Sequence, residues 1–132
     1  ALADFEIHQP NPVQPVQGLY LGATALTATA SLNAYDRYYE ARLYQKAPFH
    51  SRPADMASLV ASYTGHGKFL TDSLATAGRS VWRSSASLTA SYALHVRSGK
   101  YLNAGLSYIH GAAITPRVND PLIFAATYTV FF

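Results

Sequence analysis

The residues best suited to chemistry lie near the middle of the chain. Tyr38, Glu40, Arg42, Tyr44 and Lys46 occupy every second position, with Tyr39, Ala41 and Leu43 between them. In an extended chain such a set shares one face. The arginine presents a planar fork of donors, the glutamate accepts from hydroxyls, and the tyrosines offer flat faces for stacking. This chemistry suits holding a polyhydroxylated ring rather than breaking a bond. The competing reading is that these charges pair with one another and keep the face wet. Arg83, His95 and Arg97 form a second set at even spacing on a later run. Two of them stand near its ends, where anchoring at an interface competes with a binding role.

Catalytic constellations are hard to find. Asp36 and Glu40 flank a turn, with no helix to align them. His8, His50, His66, His95 and His110 show neither HxH nor HxxxH spacing, so no metal site is expected. "GHGK" (65–68) lacks the Gly-x4-Gly-Lys-Ser/Thr spacing of a phosphate loop, and no nucleophile elbow is present. Without cysteine the chain can form neither a disulfide framework nor a thiolate site. A net charge of +3 without a Lys/Arg run gives no nucleic-acid stripe. The chain is therefore expected to be neither an enzyme nor a cofactor carrier.

The elements that position these residues are strands. "SASLTASYALHV" (85–96) puts Ala86, Leu88, Ala90, Tyr92 and Leu94 opposite Ser85, Ser87, Thr89, Ser91 and His95. "MASLVASYTG" separates Leu59, Ala61 and Tyr63 from Ser58, Ser62 and Thr64. "YLNAGLSYIH" and the closing "DPLIFAATYTVFF" alternate in the same way. "GLYLGATALTATA" is too bland for its faces to be assigned, and "LADFEIH" reads as a partial strand. Turn residues separate these runs. Residues 68–77 suggest one short turn, and no segment reads as a full helix. The expectation is all-β: an antiparallel meander of six or seven strands. Residues 1–17 supply a partial strand and a Pro-rich turn, and 18–132 a six-strand meander.

Apolar faces built from Ala, Leu and Tyr, opposite faces of Ser and Thr, fit lipid on one side and water on the other better than a packed sandwich. Aromatic girdles of a membrane barrel lie about 25 Å apart, or about ten tilted residues. Trp82 and Tyr92 are so spaced. One orientation puts Phe124, Tyr108 and Tyr63 near the outer interface and Phe132, Tyr128, Tyr101 and Tyr92 near the inner one. The long connections 66–80 and 111–120 then lie outside and the short "SGK" turn inside. A soluble β-sheet domain that binds a partner through its edges is the alternative.

Taken in order, "GLYLGA", "SRPADMASLVASYTG", "SASLTASYAL", "KYLNAGLSYIHGA" and "DPLIFAATYTVFF" resemble the C-terminal third of the carbohydrate-selective porins, the OprB-like family. An Arg-x-x-Asp turn, here Arg52 to Asp55, leads into a strand, and the closing strand ends in Phe. Ala104, Gly105 and Ser107 depart from the family's Pro, Asp and Gln in the penultimate strand. The resemblance implies transmembrane strands of a barrel of about sixteen, in the bacterial outer membrane of Gram-negative bacteria. It implies passive passage of small sugars, lipid as the surrounding partner, and a monomeric or homotrimeric assembly. The alternating apolar ending, with Phe124, Tyr128 and Phe132, resembles the assembly signal of outer-membrane proteins. Six or seven strands cannot close a barrel, whose smallest members need eight. Further strands of the same barrel, or a complementary chain, are then required. The chain would be a piece of a longer porin, half of a split one, or a protomer of a shared barrel; the resemblance favours the first two.

Overall fold

The computed structural model describes residues 1–8, 17–111 and 119–131. Seven strands follow in chain order: β1 (Leu2–His8), β2 (Gly18–Thr27), β3 (Tyr35–Lys46), β4 (Met56–His66), β5 (Ser84–Arg97), β6 (Lys100–His110) and β7 (Leu122–Val130). One helix, α1 (Lys68–Thr76), lies between β4 and β5. Each strand pairs antiparallel with the next, so the sheet order is the chain order and the sheet is a pure meander. Among the described residues β1 and β7 are its open edges.

The register fixes two faces. Leu21, Leu43, Leu59, Ala90, Leu106 and Phe124 run across the sheet from β2 to β7 on one face. Glu40, Ser62 and Ser87 mark the other. Along β3 the polar set is half-buried while the alternate residues are exposed. The sheet is thus curved toward its polar face, where side chains converge and shelter one another. Exposure is inverted relative to a water-soluble sandwich. Leu88 is 49% exposed and Phe124 70%, while Ala47 alone is a buried apolar residue among those described. A soluble domain does not present so large a contiguous apolar surface to water; lipid is the solvent that fits it.

Pairing also resolves the faces of β2. Tyr20, Gly22 and Thr24 stand opposite Tyr44, Arg42 and Glu40, on the polar face. Tyr101 corrects an expectation: it pairs with His95, and their rings lie 5.0 Å apart. It therefore belongs to the polar face and not to an outward girdle.

The helix is a second correction. Residues 68–76 make a nine-residue helix rather than a single turn. Its sequence, KFLTDSLAT, is short, carries weak helix formers and has no side-chain N-cap. What forms it is tertiary. The Gly67 N–H donates to Ala34 O and the Phe69 N–H to Ala30 O, tying its start to the β2–β3 loop. A Cβ on Gly67 would lie 2.1 Å from Asn33 O, so only glycine lets the chain pass there. Gly78, at φ 71°, ends it.

Candidate functional site

β3 carries the densest polar cluster. The Tyr38 hydroxyl donates to Glu40 Oε2 at 2.5 Å, and Arg42 Nε stands 3.4 Å from Glu40 Oε1. Arg42 Nη2 donates to Asp4 Oδ1 on β1 at 3.1 Å, reaching across the whole width of β2. Gly22 makes that reach feasible. It pairs with both Asp4 and Arg42, and a Cβ there would fall 2.1 Å from Asp4 Oδ1 and 2.9 Å from Arg42 Nε. Arg42 Nε is buried without a hydrogen bond. The cluster thus holds a cation between two carboxylates, with Nη2 as the nitrogen of the fork that is hydrogen-bonded.

Toward the far end of β3, Tyr44 stacks on Tyr20 with ring centroids 5.2 Å apart, and Lys46 Nζ lies 4.8 Å above the Tyr20 ring. The five β3 residues singled out from sequence therefore share one face. Asp4, Tyr20 and Gly22 complete the set and were not singled out. Their only sequence signal is a glycine in a small-residue strand, which carries meaning once β1, β2 and β3 are laid side by side.

β4 to β7 line the same face with hydroxyls. Ser58 bonds Ser91 at 2.7 Å, Ser62 bonds Ser87 at 2.8 Å and Thr89 bonds Ser107 at 2.8 Å. Asn103 donates to Thr129 at 3.3 Å. One part of the curved face is charged and aromatic, the other small and neutral.

The second sequence set disperses. His95 keeps the polar face, but Arg97 lies past a register shift and pairs with Lys100, so the alternation that grouped them is broken. Arg83 precedes β5 altogether and lines a cavity beside α1. Phe124 and Tyr128 stand exposed on the apolar face, and Phe132 lies outside the described residues.

The turn between β3 and β4 is closed by a buried carboxylate. Asp55, 3% exposed, accepts from Arg52 Nε at 2.5 Å, from the Tyr92 hydroxyl at 2.5 Å and from the His95 N–H at 2.8 Å. Burial pushes this carboxyl up, but the hydrogen bonds from Tyr92, His95 and Arg52 prevail and hold it below the usual carboxylate range. At the opposite end Asp120 accepts from His110 Nδ1, the Gly111 N–H and the Tyr108 hydroxyl, and is likewise held low, His110 contributing most.

A curved antiparallel meander, apolar outside and polar within, is a length of wall from a transmembrane β-barrel that encloses water. The chain belongs to the carbohydrate-selective porin, OprB family, whose family model matches residues 3–132. Its place is the bacterial outer membrane, with lipid against the outward face. The fold matches the high-pH structure of Pseudomonas putida OprB with a TM-score of 0.84 at 18% sequence identity, covering 98% of this chain and 34% of that one. The chain thus spans about a third of the length of that porin. No curated protein sequence matches it.

Proposed function

We propose that the chain forms part of the wall of a passive diffusion channel for small sugars, acting as a conduit and not as a catalyst. Tyr38, Glu40, Arg42, Tyr44, Lys46 and His95 face its lumen. The observation that carries this reading is the Asp4–Arg42–Glu40–Tyr38 cluster on the sheltered face. It offers a donor fork and acceptors within reach of one pyranose ring, with aromatic faces beside it. The unpaired edges of β1 and β7 would cost several kcal/mol per exposed backbone group in hydrocarbon. Further strands of the same barrel, or a complementary chain, cover them, and three such barrels can associate as a homotrimer.

Arg42→Ala tests the lumen assignment in the complete barrel, in a planar bilayer titrated with glucose. Loss of a charged hydrogen bond should weaken sugar block by about 1–3 kcal/mol and reduce anion preference. Gly22→Ala should reproduce part of the loss, because its Cβ would displace the Asp4–Arg42 pair. A selectivity change with unaltered sugar block would leave Arg42 as a lumen charge alone.

The ending of the chain serves assembly in this reading. Phe124 and Tyr128 on the outward face, with Phe132, form the pattern that the insertion machinery reads. Deleting Phe132 should lower the yield of folded, heat-modifiable barrel while synthesis continues. An undiminished yield would remove that role.

A further inference from the structure

A cavity of about 440 Å³ lies between α1 and the adjoining ends of β3 and β4. Lys68, Thr71, Asp72 and Ala75 line one wall, at the spacing of a single helix face. Asp36, Arg37, His66 and Arg83 contribute to the opposite side. The volume lies within the roughly 300–1,000 Å³ of small-ligand sites. The lining carries charge of both signs: three formal positive charges, on Arg37, Lys68 and Arg83, face two negative ones, on Asp36 and Asp72. Arg37 gives only its Nε to Asp36, at 3.2 Å, which leaves its remaining N–H groups to donate elsewhere. Among the described residues neither Lys68 nor Arg83 has a carboxylate within 4.0 Å.

The site is separate from the β3 cluster. Arg37 stands an odd number of residues from Arg42 along an unbroken stretch of β3, so it takes the outward face, opposite to Arg42. Asp36 Oδ1 and Arg37 Nε both lie close to where a Cβ on Gly65 would point, which is outward too. Next along that face stands the stacked pair Tyr39–Tyr63, with centroids 6.2 Å apart. Aromatic rings at this position mark the edge of the hydrocarbon, so the cations stand at the level of lipid headgroups.

We propose that this rim cavity binds a phosphate group carried on a sugar, with Lys68, Arg83 and the free N–H groups of Arg37 as its donors. Two sources share that chemistry: the phosphorylated glycolipid headgroup of the outer leaflet, and a free sugar phosphate arriving from outside. The assignment rests on the reading above that the α1 end is the external one.

The test uses the complete barrel, extracted and weighed by native mass spectrometry after exposure to phosphorylated or dephosphorylated glycolipid, and separately to glucose 6-phosphate. The wild type should retain the phosphorylated form at least tenfold better than the dephosphorylated one. The double variant Lys68→Gln/Arg83→Gln should lose that preference, and Lys68→Arg/Arg83→Lys should keep it. Retention of glucose 6-phosphate without glycolipid, lost in the same Gln variant, would assign the site to a soluble sugar phosphate and uphold the phosphate chemistry. Equal retention of both glycolipids, or no difference between wild type and the Gln variant, would overturn it. Glucose block of the channel, measured on the same variants, should be unchanged; it reports on the lumen reading independently.

Discussion

Leu88→Arg is expected to destabilise the folded barrel by about 2–4 kcal/mol, the cost of an arginine near the middle of the bilayer. Leu88 lies within β5 on the outward face, opposite Ala61 and Tyr108, and is 49% exposed. The next residue supplies the control. Thr89 faces the other way and bonds Ser107 at 2.8 Å. Thr89→Arg places its charge in water and should lose about 0.5–1.5 kcal/mol for that hydrogen bond. Urea unfolding of both variants in phospholipid vesicles measures the difference. Equal losses would contradict a strand with lipid on one side and water on the other.

Asp55→Asn should release the β3–β4 turn. Hydrogen bonds to a charged group contribute about 1.5–3 kcal/mol each. Asn keeps one acceptor, and Arg52 is 42% exposed and hence screened. A loss of about 2–3 kcal/mol at pH 7 is the balance. The pH dependence follows from the lowered carboxyl. A carboxylate whose folded value lies below its unfolded value of about 3.9 stabilises fully above that value and loses its contribution as pH falls through the folded one. The gap between wild type and Asp55→Asn should therefore be widest near neutrality and close in acid below about pH 4. A gap that persists undiminished in acid would show that the turn is held by shape and not by the charge.

The faces of β3, β5 and β7 were legible because their alternation is chemically sharp: leucine and tyrosine against serine, threonine and charge. β2 was not, because alanine, glycine and threonine suit either face; only pairing with β3 settles it. Arg97 was misgrouped because parity carries no record of a bulge. The Arg52–Asp55 spacing was visible as a family motif, but its partners on β5, Tyr92 and the His95 N–H, lie 37 and 40 residues away from Asp55. The Asp4–Arg42 contact stayed hidden for a related reason. It depends on what Gly22 lacks, and the absence of a side chain signals nothing until the strands on either side are in place.

With Ala47 as its single buried apolar residue among those described, the sheet delegates to the membrane the task an interior performs elsewhere. Its melting behaviour then belongs jointly to chain and bilayer. Acyl chains that match the outward apolar band give the best fit. Thicker membranes force the bilayer to thin or the strands to tilt less, at fractions of a kcal/mol per Å of mismatch. The same polypeptide should therefore show a graded series of unfolding midpoints across lipids of increasing acyl length, with hydrophobic thickness acting as a thermodynamic variable alongside temperature and denaturant.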